Sequence, residues 1–152
     1  MTGDNQKEIL IRDSKPEDIQ EIISLLQQLW PDRKLNHAGL EASFLKSFEL
    51  SGHIIRVAYQ NDRLIGLCSL IIRNNLKAEG NLANIDELVV DQKMRNRQIG
   101  KMLLDDAEKI AREHLCKFMG LESSFHREGA HRFYEQNGYQ KQGYYISKTF
   151  GC

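Results

Sequence analysis

Apolar residues along the chain switch between two spacings, and the switches mark out its elements. Ile9, Leu10 and Ile11 form an unbroken apolar run that predicts a first strand over residues 8–12. Ser14-Lys15-Pro16-Glu17 has the form of a capping box with proline in the first turn. Ile19, Ile22, Ile23, Leu26, Leu29 and Trp30 then recur at helical spacing until Pro31 ends the helix. Leu40, Phe44, Leu45 and Phe48 predict a second helix over 39–50, closed by Ser51-Gly52. Strands are predicted at 53–59 and 63–72, joined by a turn at Asn61-Asp62. Residues 74–81 are polar and read as a loop. A strand over 84–90, a helix over 100–114, a short strand over 118–121 and a helix over 129–137 follow. Asn137-Gly138 supplies the stop of the last helix, and a final strand is predicted over 142–150.

The resulting order is β, α, α, β, β, β, α, β, α, β. Antiparallel strands come first and a β-α-β unit comes later. This predicts an α/β (α+β) protein with a mixed, mostly antiparallel central sheet and helices on both faces. With 152 residues and no repeat or Pro/Gly-rich linker, one domain over 1–152 is expected.

Charge and composition narrow the function classes. Apolar content is 41% and charged content 28%, which suits a globular chain. Lys plus Arg and Asp plus Glu number 21 each, so the basic excess of a nucleic-acid-binding protein is missing. No nucleic-acid partner is expected. The first residues carry no apolar signal core, and the longest apolar stretch, near Leu67 to Ile72, is too short to span a bilayer. No membrane association is expected. Cys68, Cys116 and Cys152 are far apart, and the five histidines show no metal-ligand spacing with them. They read as two buried small hydrophobes and a terminal thiol, which points to a reducing cytosol and to no metal.

The candidate chemistry lies where an apolar strand, a basic turn and a helix start follow in direct succession: Ile85-Asp86-Glu87-Leu88-Val89-Val90-Asp91, then Arg95-Asn96-Arg97-Gln98-Ile99-Gly100-Lys101. A helix N-terminus offers unpaired backbone N–H groups and about half a positive charge. It suits a diphosphate. A P-loop is excluded because Arg95 stands for its first glycine and Met102 for its hydroxyl. A dinucleotide fingerprint is excluded because only Gly100 of its three glycines is present. The basic cluster could otherwise be a solvated turn, Glu87 a solvent-facing strand residue and Tyr134 a core aromatic.

Arg95-x-x-Gln98-x-Gly100 resembles the Gln/Arg-x-x-Gly-x-Gly/Ala motif of the GNAT superfamily of acyl-CoA N-acyltransferases. Ala130-His131-Arg132-Phe133-Tyr134-Glu135-Gln136-Asn137-Gly138-Tyr139 resembles that family's later Ala-x-x-x-Tyr-x-x-x-Gly-[Phe/Tyr] segment. Gln98 and Arg127 depart from the family pattern, which usually has glycine and asparagine there. The resemblance implies an N-acetyltransferase using acetyl-CoA. It implies that Leu88, Val89, Val90, Arg95, Asn96, Arg97, Gln98, Ile99, Gly100, Lys101 and Tyr134 contact coenzyme A. Glu87 is then the candidate general base, and Tyr134 the group that donates to the departing thiolate. Strand alternation aims Asp86 away from Glu87, so one of the two should face the site. The expected acceptor is the primary amine of a small molecule, with residues 30–36 and 74–81 walling its pocket. Asp32, Glu79, Asp86 and Glu87 could favour a cationic acceptor if they converge. A protein N-terminus or lysine remains an alternative acceptor, and a non-catalytic acyl-CoA-binding regulatory module an alternative function. Family members often form homodimers.

Overall fold

The computed structural model describes residues 7–151. Met1 to Gln6 and Cys152 lie outside the described residues. The chain divides into two compact units between Gly120 and Leu121.

The first unit is built on a sheet ordered β1 to β5: β1 (Leu10–Asp13), β2 (His53–Gln60), β3 (Arg63–Asn75), β4 (Gly80–Val90) and β5 (Met119–Leu121). The first four strands pair antiparallel in sequence order. The approach to β5 runs parallel to β4. Lys117 N–H donates to the Asn81 carbonyl (2.8 Å) and Ala83 N–H to that of Phe118 (3.1 Å), so the residue numbers rise together. The sheet is mixed, as expected.

The β2–β3 hairpin turns at Asn61 and Asp62, with φ of 53° and 59°. Two consecutive left-handed residues match the twist of the flanking strands, and Asn and Asp tolerate that region. β3 and β4 continue further than their apolar patterns suggest, to the pair Asn75 and Gly80. Residues 74–81 are therefore mostly the end of a hairpin rather than a free loop. Polar strand ends pair as well as apolar ones because ladder hydrogen bonds are backbone bonds.

Helices α1 (Ile19–Leu29) and α2 (His37–Ser47) cover one face of the sheet, and α3 (Ile99–Glu113) the other. Ile22, Leu25 and Leu26 of α1 and Phe44 of α2 pack with Val57, Leu67 and Val89 from the strands. On the opposite face Ile99, Leu103, Leu104 and Ala107 are buried. Gly66 allows α3 its close approach, since a Cβ there would lie 2.9 Å from Leu103 Cδ1. Arg56 on β2 forks onto Asp106 of α3 (2.9 and 3.1 Å) and also bonds Asp13 (2.9 Å).

Two helix starts differ from the sequence expectation. The box at Ser14 and Glu17 shifts by one residue: Lys15 N–H donates to the Asp18 carboxylate (2.7 Å), and a 3-10 turn at Pro16–Asp18 leads into α1. Arg12 clamps the same carboxylate (2.8 and 3.0 Å), which selects Asp18 over the exposed Glu17. α2 begins two residues early because the Asn36 side chain accepts from Gly39 N–H (3.0 Å).

The second unit holds α4 (Glu128–Gln136). Gly138, at φ 92°, ends it in the left-handed region. The strand expected over 142–150 does not form: 139–151 carries neither helix nor strand, and 141–150 is exposed. The alternating pattern supplies one strand's side chains, but a strand also needs a ladder partner to satisfy its backbone.

Candidate active site

β4 carries the decisive irregularity. Ser69 pairs with Glu87 while the next residue, Leu70, pairs with Ile85, so Asp86 is an extra residue in the ladder. Such a bulge puts both of its residues on one side of the sheet and reverses the alternation. Ile85 is buried toward the α3 face, whereas Asp86 and Glu87 both line a cavity of about 400 Å³ on the α1/α2 face. The expectation that only one of the two acids faces the site is corrected by this extra residue.

The cavity is walled by Ile19, Ile22 and Leu26 of α1 and by Trp30 at its end, by Leu40 and Phe44 of α2, and by Ile55 and Leu67 of the sheet. Of the segments expected to wall it, only Trp30 does so. Residues 31–36 and 74–81 do not line it, nor do Asp32 and Glu79. The two helices cover this face directly, and the β3–β4 hairpin carries 74–81 beyond it.

On the cavity floor the Ser69 hydroxyl donates to Glu87 Oε2 and accepts from Glu87 N–H (3.0 Å). Burial raises the Glu87 carboxyl above the usual carboxylate range. The Ser69 hydrogen bond offsets part of the rise, and the neighbouring Asp86 charge adds to it. Asp86 is exposed and accepts from the Asn84 amide (2.9 Å). A half-buried carboxylate with a raised pKa beside an apolar cavity is a competent proton acceptor for an amine. Ser69 was missed in the sequence. Its one signal was a lone hydroxyl inside the apolar run from Leu67 to Ile72.

Beyond β4, Asp91 is buried and organises the turn: its N–H donates to the Ile65 carbonyl (2.8 Å) and its carboxylate accepts from Lys93 N–H (3.0 Å). The Gln28 side chain of α1 accepts from Gln92 N–H (2.9 Å). The segment from Arg95 to Gln98 is exposed, and Asn96 and Gln98 take φ of 66° and 65°. Gln98 is thus in the left-handed region that favours glycine, at a cost of about 1 kcal/mol. It is also the N-cap of α3, and its side chain caps nothing. The first-turn amides at Ile99, Gly100 and Lys101 therefore receive no bond from the capping side chain. Lys93, Arg95 and Arg97 form no ion pair among the described residues, while Lys101 bonds Asp105 (3.2 Å). An uncapped helix start with uncommitted cations fits the diphosphate of a coenzyme A thioester.

Val89 has its side chain in the core, so any contact from it is through backbone. Leu88 and Val90 are half-buried. β5 has three residues against eleven in β4 and runs beside only part of that strand. Tyr134 belongs to the second unit, on α4, where its ring meets those of Phe133 (5.3 Å) and Tyr139 (5.8 Å) edge-on. Cys68 is fully buried, and its thiol is pushed up to about 12 by burial first, with the Asp106 and Glu87 charges adding. It is an inert core residue. Among the described residues no group of three or more His, Cys, Asp and Glu could hold a metal ion, and no helix is long and apolar enough to cross a membrane.

The acetyltransferase (GNAT) family model matches residues 19–139. The chain is 28% identical to an aminoalkylphosphonate N-acetyltransferase of Salmonella typhimurium, covering 91% of this chain and 90% of that protein. Among solved structures, a transcriptional regulator from Bacillus halodurans superposes with a TM-score of 0.85 at 21% identity, covering 94% of this chain and all of that one. An aminoglycoside N-acetyltransferase, AAC(6')-Iy, in complex with CoA superposes with a TM-score of 0.85 at 16% identity, covering 99% of each chain. These two structures bear on the fold alone. The sheet order, the uncapped start of α3 and the match over most of the chain agree: this protein belongs to the acetyltransferase (GNAT) family, and its enzyme class is that of the N-acetyltransferases.

Proposed function

We propose that the protein transfers the acetyl group of acetyl-CoA to the primary amine of a small molecule by direct attack on the thioester. The observation that carries this reading is the Glu87 carboxylate, held by Ser69 on the floor of an apolar cavity of about 400 Å³. That volume lies within the range of small-molecule pockets. The relative named for aminoalkylphosphonates supports a small amine, and the acetyltransferase family match supports the thioester donor.

In this reading the amides at Ile99, Gly100 and Lys101, with Arg95, Asn96, Arg97 and Gln98 around them, hold the diphosphate. The backbone of residues 88–90 aligns the pantetheine arm. Free alkylammonium groups have a pKa of about 10.4, so the acceptor arrives protonated. Glu87 takes that proton, directly or through a water. The nitrogen lone pair then forms a bond to the thioester carbonyl carbon, and a backbone N–H near Leu88 or Val89 stabilises the oxyanion. The C–S bond breaks, Tyr134 donates a proton to the sulfur, and the second proton released by the amide nitrogen restores the phenol by way of solvent. The products are an N-acetyl amine and free thiol. The family match extends through both compact units, which supports a single catalytic domain. A reducing cytosol suits the free thiols of Cys68 and Cys116.

The test is a panel of diverse amines with acetyl-CoA and the purified protein, reading released thiol and the acetylated product together. One thiol per acetylated amine is expected. Binding of acetyl-CoA without transfer to any amine would replace the enzyme by a thioester-binding regulatory module. Absence of any calorimetric heat or melting shift with acetyl-CoA would remove both.

A further inference from the structure

The cavity that holds Glu87 has cationic and hydrogen-bonding groups at its far side. Lys46, in the last turn of α2, and His53, the first residue of β2, both line it, as do Asp86 and Glu87. Neither Lys46 nor His53 has an ion-pair partner among the described residues. The sheet register fixes their spacing from the acids. Glu87 pairs with Ser69, Ser69 with Ile55, and His53 lies two residues along from Ile55 on the same face. Two strand steps and two residues place the Glu87 and His53 backbones about 12 Å apart. Side chains on one face stand roughly parallel, and an amine joined to an acid group by a few methylenes spans a gap of this order once a hydrogen bond of about 2.8 Å is added at each end. Between the ends the lining is apolar, from Ile55 and Ile71 below to Phe44 above.

We propose that the acceptor is a zwitterion: its amine lies at Glu87 and Asp86, a short alkyl chain crosses the apolar floor, and its anionic oxyacid group is received by Lys46 and His53. This rests on the small-amine reading above and names the substrate class. The charges at the two ends also set the orientation. A reversed zwitterion would bring its acid group against two carboxylates and its amine against Lys46, and like-charge juxtapositions reject it. A diamine meets the same penalty at the Lys46 end, and a simple alkylamine leaves Lys46 and His53 unanswered.

The test is calorimetric binding, which needs no turnover, with propylamine, 1,3-diaminopropane, 3-aminopropylphosphonate and 4-aminobutanoate as probes. At least one of the two acids should bind about tenfold or more tighter than propylamine, the gain of one charge-assisted contact, and the diamine no tighter than propylamine. Lys46→Met and His53→Gln should each narrow the acid-to-propylamine ratio to about threefold or less, with melting temperatures showing both variants folded. Lys46 and His53 are exposed, so neither change opens the core. Equal binding of acids and propylamine, a preference for the diamine, or a ratio that survives both substitutions would overturn the proposal. The thiol-release panel can fail while this selectivity stands, and the selectivity can fail while amines are still acetylated, so the two conclusions separate.

Discussion

The Ser69 hydroxyl holds Glu87 from two directions, donating to its carboxylate and accepting from its own backbone N–H at 3.0 Å. The serine thus fixes where the carboxylate sits and how readily it ionises. Its bond favours the charged form, so removing it raises the Glu87 pKa further. Ser69→Ala is expected to move the acidic limb of the kcat/KM profile to higher pH and to lower the plateau about tenfold, the loss of one hydrogen bond to a charged group. A lower plateau with an unmoved limb would make Ser69 a packing residue only.

Glu87→Gln trades activity for stability, with a defined pH dependence. The folded carboxyl titrates above its unfolded counterpart because burial disfavours its charge. Its contribution to stability is complete below the unfolded value and is lost as pH rises through the folded one. Glutamine has nothing to lose. The melting temperature of Glu87→Gln relative to the parent should therefore climb as pH rises from about 4 through the raised folded value, while acetyl transfer falls most above the acidic limb, where the parent carboxylate is ionised and able to take the proton. A constant difference in melting temperature would mean that Glu87 is not desolvated in the folded protein.

Tyr134→Phe tests the proposed proton donor. The phenyl ring keeps the edge-on contacts with Phe133 and Tyr139, so α4 should hold its shape. Turnover should drop about a hundredfold, the usual scale for losing a positioned acid, with acetyl-CoA affinity nearly intact. Unchanged turnover would exclude the phenol from the mechanism.

Gln98→Gly should be stabilising, since glycine accepts the left-handed region freely and is tolerated at a helix N-cap. Gln98 already occupies a conformation with φ of 65° and forms no cap with its side chain. Releasing that strain is worth about 1 kcal/mol, which in a domain of this size raises the melting temperature by about 2–4 °C. Differential scanning calorimetry decides it. A fall would show that the glutamine side chain contributes to the turn.

Much of the fold was legible because local chemistry and tertiary packing agree. The apolar positions Ile19, Ile22, Leu26 and Leu29 of α1 face the core or its edge, Asn61-Asp62 makes the tight turn, and Gly138 stops α4. What escaped depends on partners distant in sequence. Asp86 joins Glu87 only because β3 and β4 pair with one residue to spare, a fact of register that neither strand carries alone. Ser69 gains its role only from the residue opposite, 18 positions away. The strand expected over 142–150 shows the reverse case, a good alternating pattern without a ladder to join.

The extra residue at Asp86 makes this point of β4 a place where the chain can lose one residue without shifting its ladder. Removing Asp86 would not merely delete one charge. It would close the ladder into regular alternation, with Glu87 still opposite Ser69 and Ile85 still opposite Leu70, and the acceptor chamber would keep one acid where it had two. Related chains aligned without a gap at this point preserve the geometry whatever residues they carry. A one-residue gap here should mark an enzyme with a differently furnished chamber.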